Sequence, residues 1–277
     1  MKNQKAIPKR RPIVAIIAVA VFLLVITFAL LWYRMNYRLV EYENGVKFLG
    51  KVVNEIPSSG TIYYSAENQA QLDLENKTIT YSNGDVYVGD IVYLLPEGQG
   101  KMSYAGGDVY EGQFKKGVPD GQGKFTFVNG DVYEGALVGG VRSGTGTYTW
   151  KNGAKYVGEF SDNKKNGKGV HTWPDGSSYD GGYVNDLKQG KGVYVFANGD
   201  RYEGDFADDV RTGSGTYTWA NGESYTGEFL NNKMHGKGVY TWPPAEEGAQ
   251  PRTYDGYFEN GQIVLSEADL TPAAPAD

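Results

Sequence analysis

The stretch YEGQFKKGVPDGQGKFTFVNGDV, residues 110–132, decides the fold, because its pattern recurs along the chain with a constant step of 23 residues. Glycine follows the leading tyrosine at positions +2, +11, +13 and +20, and over seven units it fills 27 of these 28 positions. The leading tyrosines are Tyr87, Tyr110, Tyr133, Tyr156, Tyr179, Tyr202 and Tyr225. Self-similarity at a fixed step of this length is typical of repeat architectures, in which each unit packs on its neighbours.

Inside each unit the residue types alternate with a period of two, as in the segment from Tyr156 to Phe160. This is the period of a β-strand, so each unit is predicted to be strand, loop, strand and tight turn. The tight turns are expected to be type I′, because both central positions of that turn have positive φ. The turn pairs are Asn129-Gly130, Asn152-Gly153, Asp175-Gly176, Asn198-Gly199 and Asn221-Gly222.

Large apolar or aromatic residues also recur at +4 and +17, on the same face as the tyrosines. The +4 column is Ile91, Phe114, Leu137, Phe160, Tyr183, Phe206 and Phe229, and the +17 column is Tyr104, Phe127, Trp150, Trp173, Phe196, Trp219 and Trp242. The strand glycines leave room for these rings to lie flat on the backbone. The opposite face is polar. The pattern therefore predicts an elongated, single-layer antiparallel sheet that grows by repetition.

These units, for example YTGEFLNNKMHGKGVYTW at residues 225–242, resemble the MORN (membrane occupation and recognition nexus) repeat, here of a bacterial membrane-anchored type. The shared pattern is Y-x-G, a hydrophobic residue, a short loop, G-x-G and a closing Asn/Asp-Gly. The resemblance implies an all-β array of tandem hairpins that serves as a scaffold or interaction module, and for some members lipid-head-group binding is proposed. Kinase or methyltransferase domains accompany such arrays in larger proteins, but residues 34–80 are too few to hold one.

An apolar segment of 21 residues, IVAIIAVAVFLLVITFALLWY from Ile13 to Tyr33, precedes the repeats and contains no charged residue. A helix of this length spans about 30 Å, the thickness of a bilayer core. A cleaved signal peptide is the alternative, but it has a shorter apolar core and a small-x-small cleavage site. Five Lys/Arg residues precede the segment, and only Arg34 and Arg38 closely follow it. The positive-inside rule therefore predicts a single-pass anchor with a cytoplasmic N-terminus and an extracytoplasmic array.

The charge is distributed unevenly along the chain. The formal net charge is −6, but beyond residue 34 there are 21 basic and 33 acidic residues, a net charge of −12. An acidic domain is poorly suited to nucleic acid or to anionic lipid. The lysines in the inter-strand loops could bind an anionic ligand. The simpler explanation for these lysines is that they keep the protein soluble and protect the sheet edges from pairing.

Catalytic chemistry is not expected, because the chain has no cysteine and two histidines. His171 occupies the +15 position, where most sister units carry Phe or Tyr, and is interpreted as an aromatic stand-in. His235 is interpreted as a solvated loop residue. Recurrent carboxylates such as Asp131 and Glu134 are assigned to turns and a solvated face, with cation binding as the alternative. We therefore expect no enzyme activity, no catalytic residue, no metal and no cofactor.

The aromatic face is the best candidate for a binding surface, because ridges of Trp and Tyr contact partners well. The alternative is that the rings only pack on one another as the core of the sheet. The candidate residues are Trp150, Trp173, Trp219, Trp242, Tyr148, Tyr217 and Tyr240. The first functional hypothesis is a membrane-anchored scaffold that binds a protein partner at the cell envelope. The others are a binding module for cell-wall glycan or lipid head groups, and an antitoxin- or immunity-type binder.

The chain is accordingly divided into five segments. We expect a basic cytoplasmic N-terminus at 1–12, a transmembrane helix at 13–33, a juxtamembrane segment with a degenerate repeat at 34–80, the repeat array at 81–261 and a disordered tail at 262–277. A partial eighth unit of the array starts at Tyr254, and the degenerate repeat contains Phe48 and Gly50.

Overall fold

The computed structural model describes residues 11–42, 45–246 and 248–265, and within them the fold is mostly β. Antiparallel hairpins follow one another in tandem as an open sheet after one apolar helix, so the fold class predicted from the repeat is confirmed. Contacts divide the chain into two compact units, Met1–Pro96 with Met102–Ala105, and Glu97–Lys101 with Gly106–Asp277.

The first unit contains the helix, α1 (Arg11–Asn36), which includes the predicted transmembrane segment. Its side chains from Ile17 to Met35 are exposed. The strands that follow α1 in this unit are β1 (Tyr37–Glu41), β2 (Lys47–Val53), β3 (Ile56–Tyr63), β4 (Gln69–Asp73), β5 (Thr78–Tyr81) and β6 (Val86–Val92).

The degenerate repeat forms the hairpin β2–β3. Phe48 is fully buried, and its ring lies over Gly50 and Gly60, which pair with each other across the two strands. Strands β4 and β5 form a further hairpin between this one and the regular repeats. The juxtamembrane segment is therefore built mostly of strands, with Phe48 in the place that tyrosine takes later.

The second unit contains the rest of the array, in which each strand pairs with the next in antiparallel register. Strand β7 (Leu95–Ser103) has residues in both units. The strands of the second unit are β8 (Val109–Lys115), β9 (Val118–Thr126), β10 (Val132–Val138), β11 (Val141–Thr149), β12 (Lys155–Ser161), β13 (Lys164–Thr172), β14 (Ser178–Val184), β15 (Leu187–Val195), β16 (Arg201–Ala207), β17 (Val210–Thr218), β18 (Ser224–Leu230), β19 (Lys233–Trp242), β20 (Arg252–Glu259) and β21 (Gln262–Val264).

The core of each regular repeat is a tyrosine ring lying on a glycine pair. Tyr156 is fully buried over Gly158 and Gly169, and its hydroxyl donates to the Glu159 carbonyl at 3.0 Å. A Cβ atom at Gly158 would lie 2.6 Å from the Tyr156 ring, which is closer than packed atoms approach. Phe160 meets the same ring edge to face at 5.1 Å. The glycines therefore leave the space in which a one-layer sheet buries an aromatic side chain, as the sequence predicted.

Neither the Asn-Gly pairs nor Asp175-Gly176 form type I′ turns, contrary to the sequence expectation. At residues 152–153 only Gly153 has positive φ, at 91°. Its N–H donates to the Trp150 carbonyl, and the Trp150 N–H donates to the Ala154 carbonyl, both at 2.9 Å. This is a three-residue loop with a type I turn and a left-handed glycine. Asn152 stays out of the left-handed region, and its side-chain oxygen accepts the Ala154 N–H two residues on.

The type I′ turns lie at the other end of each repeat, where the sequence was interpreted as a loop. Between β12 and β13, Asp162 has φ 50° and Asn163 has φ 66°. Asn and Asp tolerate positive φ better than other residues with side chains, because their short polar groups bond locally. In four of the seven repeats the sequence signal for this turn is a pair of Asn or Asp residues, whereas the first three repeats have Tyr93-Leu94, Lys116-Gly117 and Gly139-Gly140 there.

The first residues of the segment 262–277, which was expected to be a disordered tail, form a strand. Gln262–Val264 forms β21 and pairs with β20, and the turn between them has positive φ at Asn260 (53°) and Gly261 (87°). Ile263 lies opposite the buried Phe258, which gives the last strand an apolar contact to fold on. The expected tail from residue 266 and the basic segment 1–10 lie outside the described residues.

Candidate binding surface

Twelve rings on the tyrosine face form a continuous series in the second unit, which we call the aromatic ladder. Neighbouring ring centroids are 4.1 to 5.9 Å apart. The ladder consists of Phe125, Phe127, Tyr148, Trp150, His171, Trp173, Tyr194, Phe196, Tyr217, Trp219, Tyr240 and Trp242. It includes all seven candidate residues, and each of those seven is half-buried. The structure therefore brings the predicted site residues together on one surface.

Each of the four tryptophans in the ladder lies between two neighbours. Trp150 contacts Tyr148 at 4.6 Å and His171 at 4.9 Å, and Trp173 stacks on His171 at 4.1 Å. At the end of the ladder, the Arg252 guanidinium lies 4.2 Å from the Trp242 ring centroid. His171 therefore occupies one flat face of Trp150 and one of Trp173, and Arg252 lies over a face of Trp242, whereas the contacts of the tryptophans with tyrosines are tilted by 34–54°.

The hydroxyls of the three candidate tyrosines donate hydrogen bonds to carboxylates of the preceding repeat. The Tyr148 hydroxyl donates to Asp131 at 2.8 Å, and the Lys151 N–H donates to the same carboxylate at 2.8 Å. Tyr217 donates to Asp200 at 2.6 Å, and Tyr240 donates to Glu223 at 2.7 Å. These hydroxyls link one repeat to the next, so the rings, rather than the hydroxyls, are what a partner would meet.

Ionisation follows from these contacts. The hydrogen bond from the Lys151 N–H, together with those from Tyr148 and Asn129, holds the pKa of Asp131 below its usual value. Burial, and then the bond to Asp131, raises the pKa of Tyr148 to about 12. At neutral pH the carboxylate is charged and the phenol is neutral, which is the pairing that gives a strong charge-assisted hydrogen bond.

A column of cations lies on the same face. It consists of Arg142, Lys165, Lys188 and Arg211, and we call it the cation column. Its two lysines are among the loop lysines that could bind an anionic ligand, but their grouping with the two arginines was not predicted from the sequence. Arg142 Cζ lies 5.0 Å from the Tyr148 ring centroid, and Lys165 Nζ lies 4.7 Å from that of Tyr183. All four residues occupy position +9 of their units, and this recurrence of a basic residue was the available signal. The candidate surface is therefore aromatic and locally basic, although the domain as a whole is acidic.

Three of these cations are held by the next repeat. The Arg142 guanidinium donates to the Asn163 carbonyl at 2.7 Å, and Arg211 makes the equivalent bond to Asn232 at 2.9 Å. Lys188 forms an ion pair with Asp209 at 2.9 Å. Within the described residues, the Lys165 ammonium has no hydrogen-bond acceptor or ion-pair partner.

The opposite face is polar and forms a shallow groove of about 1080 Å³ in the second unit. Glycines such as Gly204 and Gly227 line it, together with Lys191 and Glu228. Cross-strand ion pairs lie on this face, with Lys101–Glu111 at 2.6 Å, Lys124–Glu134 at 3.0 Å and Lys191–Asp205 at 2.8 Å. Across the part of the chain that the structure describes, no group of three or more His, Asp or Glu side chains is placed to hold a metal ion.

The repeats that build both faces match a known family. The MORN repeat matches seven times in succession, at residues 87–109, 110–132, 133–155, 156–178, 179–201, 202–224 and 225–244. The chain belongs to the MORN-repeat family. We call residues 87–244 the MORN array. The matched residues make up more than half of the chain and do not include α1, so the match concerns the array and not the helix.

Solved structures give a weaker likeness. The TCP10 domain of Danio rerio CPAP is 12% identical with a TM-score of 0.37, over 70% of this chain and 98% of that chain. The SAS-4 (dCPAP) TCP domain of Drosophila melanogaster, in complex with a proline-rich motif of Ana2, is 14% identical with a TM-score of 0.35, over 64% of this chain and 88% of that one. Scores at this level do not establish a shared fold. A search of curated proteins found no match.

The middle of the MORN array contains polar atoms that are buried without a hydrogen bond. His171 is 7% exposed and stacks between Trp150 and Trp173, as expected of an aromatic stand-in, but neither ring nitrogen has a hydrogen-bond partner among the residues that the structure describes. Burial, and then the charges of Lys165 and Lys188, lower the pKa of His171 to about 4. The imidazole is therefore neutral at physiological pH. The hydroxyl of Tyr183, below Lys165, also lacks a partner.

Proposed function

We propose that this protein is a single-pass, membrane-anchored MORN scaffold without enzyme activity, which binds a protein partner at the cell envelope through its aromatic ladder. The observation that carries the proposal is the ladder itself, twelve rings that are mostly half-buried on one face of the second unit, with the cation column beside them. Aromatic and arginine side chains contribute most of the binding energy in protein interfaces, because they bury large areas and keep a polar group.

The helix α1 supports the anchoring part of the proposal. Its stretch Ile17–Asn36 has a mean hydropathy of 2.2, and none of it is buried against the rest of the protein. An apolar helix of 20 residues with exposed side chains is stable in a bilayer, because lipid covers the side chains that water would otherwise meet. The basic residues before α1 favour a cytoplasmic N-terminus and an array on the other side.

The ladder geometry favours a protein over a glycan. A sugar ring stacks on the flat face of an aromatic side chain, and three of the four ladder tryptophans already have one face occupied, Trp150 and Trp173 by His171 and Trp242 by Arg252. Partly covered rings and cations instead suit apolar and acidic side chains of a polypeptide. Anionic lipid head groups are less suited, because the chain beyond residue 34 has a net charge of −12.

The membrane anchor is tested by measuring the mass of the mature protein and its resistance to extraction from the membrane. Intact mass spectrometry of the membrane fraction should give the full chain of 30.4 kDa, and the protein should stay in the membrane after an alkaline carbonate wash. A shorter mature species that lacks α1 and is released by the wash would contradict the anchor.

The binding face is tested by site-specific photocrosslinking of the full chain in cells. A photoreactive phenylalanine replaces Trp219 on the ladder or, as the matched control, Val157, which is exposed on the opposite face of β12. The expected result is a discrete protein crosslink from the Trp219 position and none from the Val157 position. Crosslinks from Val157 alone would place the partner on the polar face, and crosslinks to lipid or glycan alone would exclude a protein partner.

A further inference from the structure

We propose that a cavity in the cation column, between Arg142 and Lys165, is a carboxylate-binding site that takes an Asp or Glu side chain of the partner. The cavity has a volume of about 190 Å³, and its aromatic walls are Tyr148, Trp150 and Phe160. The inference rests on the proposed function, since the carboxylate would belong to the protein that contacts the ladder.

The walls make the site favourable for charge pairing. Three aromatic rings reduce the water around the two cations, and a charge-assisted hydrogen bond is stronger where water is partly excluded. A volume of this size holds a carboxylate group with its methylene stem. The Arg142 guanidinium has five N–H groups, and the contacts with Asn163 use only two of its nitrogens.

Lys165 is the residue that sets this cavity apart from equivalent places in the array. It is half-buried, and burial lowers the pKa of its ammonium although the charges of Asp186 and Asp209 act in the opposite direction. Its counterpart Lys188 is neutralised by Asp209, whereas Lys165 has no acceptor within the described residues. A half-buried ammonium without an acceptor is costly, and an incoming carboxylate would supply that acceptor.

The charge balance fits a monovalent anion. Asp186 also lines the cavity, and its Oδ1 atom accepts the backbone N–H of Lys165 at 2.9 Å. Arg142, Lys165 and Asp186 leave a local charge of about +1. The neighbouring ion pair of Lys188 with Asp209 adds none, so one further carboxylate would neutralise the site. A phosphate dianion would leave the site negative, so the balance favours a carboxylate.

His171 is a built-in reporter of this site. Its ring stacks on Trp150, a wall of the cavity, and the positive field of Lys165 and Lys188 contributes to its low pKa. An anion bound at Lys165 would offset that field and raise the pKa of His171. The other histidine of the chain, His235, lies on β19, six strands further along, and is an internal reference.

The test uses the full chain in detergent micelles, labelled with ¹³C at histidine Cε1. N-acetylglutamic acid amide, which has one carboxylate, is titrated in, and N-acetylglutamine amide is its uncharged match. We expect N-acetylglutamic acid amide to shift the His171 signal saturably and to raise the pKa of His171. The His235 signal should not move, and N-acetylglutamine amide should have no effect on either signal. Lys165→Met should weaken binding about tenfold or more. Methionine occupies the same position in the seventh unit, as Met234. Lys164→Met, which removes the same charge from an exposed neighbour, should leave binding unchanged.

Equal binding by the Lys165→Met variant, equal shifts with the amide, or binding of inorganic phosphate without binding of the acid would each overturn the assignment. The crosslinking experiment separates this failure from failure of the proposed function. If the Trp219 crosslink persists undiminished in the Lys165→Met chain, the carboxylate site is wrong and the scaffold stands. If the unaltered chain gives no protein crosslink, the scaffold itself is wrong.

Discussion

Replacing Asp200 with alanine should loosen the contact between two successive repeats. Asp200 is 8% exposed, its Oδ2 atom accepts the Tyr217 hydroxyl at 2.6 Å, and its Oδ1 atom accepts the Ala220 N–H at 2.9 Å. These donors lie 17 and 20 residues further along, in the next repeat. In a repeat protein such contacts carry the coupling between neighbours, so their loss should appear as local opening.

The expected size follows from the two bonds. Each hydrogen bond to a charged group contributes about 1.5–3 kcal/mol. In the Asp200→Ala variant both donors can turn to water, because Tyr217 is half-buried and Ala220 is exposed. We therefore expect a net loss of about 2 kcal/mol from the free energy of local opening, which corresponds to a factor of roughly 30 in the opening equilibrium.

Amide hydrogen exchange of the full chain measures this quantity at the Ala220 N–H. Its protection should fall about 30-fold in the Asp200→Ala variant. Glu203→Ala is the matched control, because the Glu203 side chain is 60% exposed and forms an ion pair with Arg201 on the same strand. An exposed pair contributes about 0–1 kcal/mol, so the control should change little. Equal protection in the two variants would refute the assigned coupling.

The same contact depends on pH in a defined direction. The hydrogen bond from Tyr217, and then those from Ala220 and Asn198, hold the pKa of Asp200 below its usual value. Since the folded pKa lies below the unfolded value of about 3.9, the stabilisation is complete at neutral pH and is lost as the pH falls through the folded pKa. An Asp200→Asn variant should lack this acid-dependent loss of Ala220 protection.

Three other substitutions test the core, the anchor and the buried histidine. Gly192→Ala should lower the free energy of unfolding by about 1–3 kcal/mol in chemical denaturation, because the new Cβ would lie 2.6 Å from the Tyr179 ring. An unchanged free energy of unfolding would contradict the packing of the tyrosine ring on the glycine pair. Leu24→Arg, near the middle of α1, should reduce carbonate-resistant membrane retention, because a central arginine costs about 2.5–3.5 kcal/mol on insertion; unchanged retention would argue against a spanning helix. His171→Phe should stabilise the array more at pH 5 than at pH 7. The folded pKa of His171, about 4, lies below the unfolded value of about 6.5, so the wild-type chain loses stability as the pH falls between these two values. Equal effects at both pH values would show that His171 is not buried in its neutral form.

The position of the candidate site on the sheet could be predicted from the sequence, but the contacts of its side chains could not. The +15 and +17 columns place Trp150 and Tyr148 on one face, because the period-two pattern fixes which side chains share a face. Their stacking, and the bond from Tyr148 to Asp131, depend on how one repeat meets the next. The cavity beside Lys165 depends on three successive repeats, and a 23-residue step does not show which basic side chain finds an acceptor.

By itself the sequence determined the strands, the faces and the tyrosine columns, because one glycine pair per hairpin is the sterically open position for a large ring on a one-layer sheet. It did not decide the turns. Asn152-Gly153 adopts a three-residue loop because the asparagine side chain bonds to Ala154, while Asp162-Asn163 takes the type I′ turn. Only the tertiary structure decided that Lys165 has no hydrogen-bond acceptor among the described residues, because that depends on the positions of side chains in the neighbouring repeats.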